Sequence, residues 1–368
     1  MGKVKYYRLD NILKENADYN IIYGERSNGK TFSVLEYGLK DYIDSGYTNQ
    51  LGIVRRWEED FKGKNGSQMF EAIVKLGLVS KWTKDYYNSV YYWGQRWYLA
   101  KFDEMGKLKY KDDTPFAFGF GITSEEHYKS TSYPNIRTVL FDEFITRSYY
   151  LPDEFVKFQN LLSTIIRLRD DIKIFMCGNT INKYCPYFTE MGLTNASKQK
   201  QGTIDVYTYG DSGLRVAVEY AEEVGSQKKS NKYFAFDNPK LQMIKTGGWE
   251  IDIYPHLPCK YYPTEVRYKF YIIFNGETLQ GNVIYSKNND CPFIFFHRKT
   301  TPIKEDDKGL VFQEAIDARR KYRRRITDYY DKIGKKLYGF FARDEVFYQD
   351  NEVGEIVRNY LMWCEKSV

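Results

Sequence analysis

NIIYGERSNGKTFSVLEYGLKDYI, residues 20–43, is the stretch whose reading decides the fold. Residues 20–23 are a short apolar run with turn formers after it, which reads as a buried strand. Val34, Leu35, Leu39, Tyr42 and Ile43 then recur near helical spacing, as on an amphipathic helix, and Gly46 is placed to end it. LGIVRRW at 51–57 reads as a second strand. Strand, helix, strand is the grammar of a parallel α/β sheet. Between the first strand and the helix, Gly24 to Thr31 match G-x-x-x-x-G-K-[ST]. In that pattern the glycines let backbone N–H groups turn inward around phosphates, and the helix presents its positive dipole end to them. The expected binding residues are Gly24, Arg26, Asn28, Gly29, Lys30 and Thr31. Lys30 reaches the β- and γ-phosphates, and the Thr31 hydroxyl ligates Mg²⁺. ATP and Mg²⁺ are the expected cofactors, with Arg26 a candidate for stabilising charge within its own site.

Further strands arrive with polar residues at their C-terminal ends, the edge where open α/β sheets bind ligands. TVLFDEF at 138–144 is apolar up to Asp142 and Glu143. Asp142 is expected to hold Mg²⁺ with Thr31, and Glu143 to polarise the attacking water as a general base. EFVKFQNLLSTIIRLRD at 154–170 reads as a helix, and KIFMCGNT at 173–180 as a strand that brings Asn179 to the same edge, to sense the γ-phosphate or orient water. Arg167 and Arg169 lie between them. An arginine offered to a neighbour's site can stabilise transition-state charge. Arg55 and Arg56 end the second strand and face nucleotide, neighbour or DNA.

The bulk composition narrows the classes. The 368 residues suggest two or three domains, and a net charge of +6 permits a polyanionic partner without requiring one. Five cysteines without a CxxC pair argue against a disulfide framework. The three histidines lack metal-ligand spacing, no secretory signal is expected at the N-terminus, and no apolar run is long enough to span a membrane. After about residue 220 the chain turns charged and rich in small residues, so 221–255 reads as a linker subdomain, with Lys228, Lys229 and Lys232 as a weak basic cluster. Strand-like runs then dominate, with a hairpin turn at Asn275-Gly276. Helices are expected over 310–333 and 351–364. The first would carry Arg319, Arg320, Lys321, Arg323, Arg324 and Arg325 as a dense basic face attractive to nucleic-acid phosphates.

Taken together, the N-terminal phosphate loop with Arg26 at its third position, SYPNIRTVLFDEF a hundred residues later, Asn179, the Arg167-x-Arg169 segment, CPYF at 185–188 and FNGETLQG at 274–281 resemble the genome-packaging ATPases of phi-29-like podoviruses. The resemblance is strong over 20–190 and weaker after 200. It implies an ASCE-type P-loop ATPase domain with a central, mainly parallel sheet over 1–220. The linker then leads to a smaller RNase H-like α/β domain over 256–368, a vestigial relative of the terminase nuclease. It implies a bacteriophage molecular motor that hydrolyses ATP to drive double-stranded DNA into a procapsid, as a homopentameric ring on the portal. A packaging RNA is an optional further partner, and there is no membrane partner. The motor would work in the host bacterial cytoplasm, transiently on the procapsid, and be absent from the mature virion. Arg167 would match the family's trans-acting arginine finger and Lys129 a second trans-acting basic residue. Glu58 stands where the family has another basic residue, so that role is not carried over. The individual motifs are shared with other ASCE machines, so a helicase or partition ATPase is the alternative.

Overall fold

A computed structural model describes residues 6–147, 150–182, 185–196, 198–222, 254–257, 259–286 and 291–366. The chain divides into two compact units, Met1–Glu250 and Ile251–Val368. The expected linker at 221–255, with its lysines, lies almost wholly outside the described residues.

The first unit is built on a ten-stranded sheet. Its strands are β1 (Tyr19–Gly24), β2 (Gln50–Arg55), β3 (Ser89–Trp93), β4 (Arg96–Phe102), β5 (Leu108–Lys111), β6 (Ala117–Gly121), β7 (Ile136–Asp142), β8 (Lys173–Asn179), β9 (Thr203–Tyr209) and β10 (Leu214–Tyr220). The order is β3-β4-β6-β2-β7-β8-β1-β10-β9, with β5 on β4. The central six, β6 to β10, are mutually parallel, and antiparallel strands close both edges. Helix α1 (Lys30–Asp44) follows β1 directly. Short turns α2 (Lys64–Ser67), α3 (Glu71–Lys75), α4 (Leu78–Trp82) and α5 (Glu125–Tyr128) precede α6 (Glu154–Ile166) and α7 (Pro186–Glu190).

The central strands read as unbroken apolar runs because both faces are covered. On β7, Val139 and Phe141 pack with Phe158, Leu161 and Ile165 of α6. Leu140, pointing the other way, packs with Val34, Leu35 and Leu39 of α1. Each such side chain, fully removed from water, contributes about 1.5–3 kcal/mol. Gly94 and Gln95 join β3 to β4 in a tight hairpin, both residues taking positive φ (56° and 60°) as a type I′ turn requires. Helix α6 stops at Ile166, four residues short of the expected end, because Arg167 takes φ 52°.

The second unit carries β11 (Val266–Phe274), β12 (Glu277–Ile284), β13 (Phe293–Arg298), β14 (Val311–Gln313), β15 (Tyr322–Arg323), α8 (Lys332–Ala342), β16 (Val346–Tyr348) and α9 (Asn351–Lys366). Its sheet order is β15-β14-β11-β12-β13-β16. An antiparallel meander, β11 to β13, is extended by parallel strands beside its first member, the RNase H-like arrangement. The hairpin at Asn275-Gly276 and the final helix are where the sequence puts them. The helix expected over 310–333 is not. Its supposed apolar stripe comes apart: Phe312 and Ile326 are fully buried, whereas Ile316 is 85% and Tyr330 90% exposed. Short strands and turns replace it, and the basic run 319–325 lies on a turn and on β15.

Candidate nucleotide site

The register of the sheet assembles the site. Gly24 pairs with Asn179 across β1 and β8, and Asp142 pairs with Cys177 across β7 and β8. The strand ends carrying the loop, the sensor and the acids therefore form one line at the C-terminal edge. The loop's backbone follows from its composition. Gly29, which caps α1, has φ 97°, a conformation that side-chain-bearing residues rarely adopt. An added Cβ there would also lie 3.2 Å from Tyr6. A cavity of about 450 Å³ opens over the loop, lined by Arg26 to Phe32, Asp142, Glu143, Cys177, Gly178 and Asn179.

Lys30 is buried, its Nζ donating to the Glu25 carbonyl (2.6 Å), Asn28 Oδ1 (3.1 Å) and Asn179 Oδ1 (3.4 Å). Burial pushes its pKa down to about 8, against the attraction of the negative charges that Cys177 and Asp142 can carry. The amide nitrogen of Asn28 is buried with no acceptor. A desolvated cation and a buried donor without an acceptor at one loop fit a polyanionic ligand, which offers the first a counter-charge and the second an acceptor.

The acids are placed differently. Asp142 is buried, and its Oδ1 accepts the Thr31 hydroxyl at 2.6 Å, so loop and strand meet through two oxygens suited to Mg²⁺. Glu143, with φ 59°, turns out of the strand and leaves its side chain 62% exposed. Arg55 at the end of β2 spans both: it pairs with Asp142 and approaches Glu143 at 3.4 Å. Arg56 turns away into the core. It makes two bonds to Glu154 (2.8 and 2.9 Å) and one to the Phe144 carbonyl, and the Tyr187 hydroxyl also donates to Glu154. Sequence reasoning left the pair Arg55-Arg56 undivided. The available signal was alternation, since neighbours on a strand face opposite sides. Glu58 is occupied locally, accepting from Gln95 at 2.8 Å and from Ser124.

The remaining candidates lie elsewhere. Arg167 is exposed and donates to the Thr131 carbonyl at 2.9 Å. Lys129 is exposed and pairs with Glu126 at 2.6 Å. Arg167 is at the end of the sheet where β7 begins, while Asp142 is where it ends. At ~3.3 Å per residue the length of β7 puts about 20 Å between them, and neither Arg167 nor Lys129 lines the cavity of its own chain. Of the basic run, Lys321 is held by the carbonyls of Lys304 and Glu305, and Arg319 by Asp317. Arg323 bonds the Arg320 and Tyr322 carbonyls, and Arg324 the Glu314 carbonyl. Arg320 is exposed. Among the described residues no group of three or more His, Cys, Asp or Glu could hold a metal ion.

Strand β8, inserted between the phosphate-loop strand and the strand bearing Asp142 and Glu143, places the fold in the ASCE class of P-loop proteins. More narrowly, the chain belongs to the podovirus DNA encapsidation protein (Gp16) family, whose model matches residues 1–223. It is 26% identical over 196 residues to the DNA packaging protein of Bacillus phage phi29, covering 52% of each chain. It is 26% identical over 185 residues to that of Bacillus phage B103, covering 50% of each. The chain thus spans about half the length of the curated relatives it matches. Two solved structures share the fold throughout. One is the Phi-28 gp11 DNA packaging motor, with TM-score 0.55 and 17% identity, matched over all of this chain and 99% of that one. The other is the phi-29 viral genome packaging motor assembly, with TM-score 0.55 and 18% identity, matched over 96% and 97%.

Proposed function

We propose that this chain is the ATPase of a viral genome-packaging motor, coupling ATP hydrolysis to movement of double-stranded DNA into a procapsid. The observation that carries the reading is the Thr31–Asp142 hydrogen bond, which joins the phosphate loop to a buried carboxylate with Glu143 immediately beside it. Gly24, Arg26, Asn28, Gly29 and Lys30 hold the phosphates, and Thr31 and Asp142 would hold Mg²⁺. When bound, Mg²⁺ supplies charge neutralisation at the β- and γ-phosphates. Arg55 pairs with Asp142 and approaches Glu143, and Glu143 would accept a proton from water. Asn179, bonded to Lys30 across the cavity, reports on the terminal phosphate. Arg167 and Lys129, which do not line their own cavity, act on a neighbour's site in a homo-oligomeric ring, a pentamer. Double-stranded DNA, the portal and, optionally, a packaging RNA are the partners, with Arg320 and its basic neighbours a candidate nucleic-acid contact. The work is done in the host cytoplasm on the procapsid. Among the described residues no helix is long and apolar enough to cross a membrane.

Glu143→Gln is the test. It should lower DNA-stimulated ATP turnover by about 10²-fold or more, the scale of a lost general base, with nucleotide affinity unchanged. Normal turnover in this variant would remove Glu143 from the role. Procapsid-dependent protection of DNA from nuclease separates a packaging motor from another ASCE translocase.

A further inference from the structure

Arg167 and Arg169 look equivalent in sequence, but the structure gives them opposite employment. The Arg169 guanidinium has five N–H donors, and each has a backbone carbonyl in front of it. Nε donates to Ile166 at 3.1 Å, Nη1 to Pro134 at 2.8 Å and Ile136 at 2.7 Å, and Nη2 to Tyr133 at 3.0 Å and Ile165 at 2.5 Å. The carbonyls of Ile165 and Ile166 are among those at the end of α6 that lack helical partners. The other three belong to the turn that enters β7. Arg169 therefore has no donor left for another subunit, and it joins the end of α6 to the turn that enters β7. A second clamp lies alongside, where Arg137 pairs with Asp171 at 2.9 Å.

What this joint holds in place is unusual. Arg167 caps α6 with φ 52° and ψ −123°, a region costly to a residue with a side chain and retained only where its surroundings enforce it. Leu168, next in the chain, is fully exposed. Single exposed leucines are common, but this one stands between a strained residue and a fully bonded one, on a turn with little freedom to fold it away. The Thr131 carbonyl that receives Arg167 lies two residues from Lys129, so both exposed cations sit on the segments that Arg169 ties together.

We propose that Arg169 is a positioning residue, which braces the α6 terminus against the 133–136 turn. It thereby presents Arg167, with Leu168 beside it as an apolar contact, as a preformed prong to a second copy of this chain. The inference rests on the reading of Arg167 as trans-acting. The occupant is a second copy because the length of β7 keeps the prong about 20 Å from its own carboxylates, while the group it would serve is the phosphate held in such a cavity. Preforming the prong removes the ordering cost at the encounter. Lysine cannot replace the brace, since its three donors radiate from one point and cannot meet five carbonyls in a plane.

The experiment compares Arg167→Ala, Arg169→Lys and Arg169→Ala as full chains. Each is assayed alone and mixed with Glu143→Gln subunits, with DNA-stimulated kcat, nucleotide Kd and thermal midpoint measured in parallel. Both Arg169 variants should lose about tenfold to a hundredfold in kcat, the effect of a slightly misplaced catalytic group, and keep wild-type nucleotide Kd. They should regain turnover when Glu143→Gln subunits, which still carry an intact prong, are mixed in. Leu168→Ser should weaken subunit association while leaving nucleotide Kd alone. Full activity in Arg167→Ala would defeat the trans-acting reading itself. Loss of activity in Arg167→Ala with wild-type kcat in Arg169→Lys and Arg169→Ala would leave that reading standing and overturn this inference. Recovery on mixing for Arg167→Ala but not for the Arg169 variants would overturn it as well, by showing Arg169 to be a general support of the fold.

Discussion

At the scale of single residues, Lys30 makes the sharpest statement about pH. Its pKa in the free protein is lowered from 10.5 to about 8, chiefly by burial. A cation whose folded pKa is depressed costs stability. That cost is full below about pH 8 and is relieved as pH rises from there toward 10.5. A bound triphosphate restores the preference for the charged form, so nucleotide binding takes up a proton above pH 8. Affinity should therefore be flat from pH 6.5 to 7.5 and then weaken, approaching tenfold per pH unit, between about 8 and 10. Titration of the wild-type chain with a fluorescent ATP analogue across this range checks it, and a Kd constant to pH 9.5 would contradict it. Lys30 was legible in the sequence because its motif is local: eight consecutive residues fix both the loop and the lysine's direction. Arg55 was not legible as a partner of Asp142, since 87 residues separate them and only the order of strands brings them together.

At the scale of elements, the buried pair Arg56–Glu154 ties the end of β2 to the first turn of α6. Tyr187 of α7 adds a third element. Both charges are nearly inaccessible, Arg56 at 7% and Glu154 at 3%, and each depends on the other to offset desolvation. Arg56→Met should destabilise the protein by about 3–5 kcal/mol, because it strands a buried carboxylate. The double variant Arg56→Met with Glu154→Leu should recover most of that loss. Equilibrium urea unfolding of wild type, single and double variants gives the comparison, and a double variant no more stable than the single would refute the argument. The same scale shows where periodicity is and is not enough. α1, α6 and α9 announced themselves because one stripe of each is buried along its length. The segment 310–333 imitated such a stripe, yet its apolar residues are spent singly: Phe312 in β14, Ile326 beneath the Tyr360 hydroxyl that its amide meets, and Ile316 and Tyr330 in solvent. Spacing in sequence records a helix only when the same face stays dry from end to end.

At the scale of the whole molecule, the change in composition after residue 220 coincides with the end of β10, the last strand of the first sheet. Among the described residues every strand of that sheet, and every residue lining the cavity, lies at or before Tyr220. The second unit has its own six-stranded sheet, and α9 buries Val353, Ile356, Val357 and Tyr360 within it. The order of strands in either sheet could not be read from the sequence, because crossovers leave no mark on composition. Its RNase H-like character came from resemblance alone. The division has a measurable consequence. The cavity is lined only by the phosphate loop, the start of α1 and the ends of β7 and β8, so a polypeptide of residues 1–222 should unfold cooperatively and bind ATP within about tenfold of the full chain, a difference below about 1.4 kcal/mol. Under the proposed packaging role it should not respond to procapsids, because it lacks the second unit with its basic run at 319–325. Calorimetric binding and urea unfolding of the fragment decide the matter. A fragment that failed to unfold cooperatively, or lost ATP affinity by more than a hundredfold, would mean that the phosphate loop is held in shape by residues beyond 222.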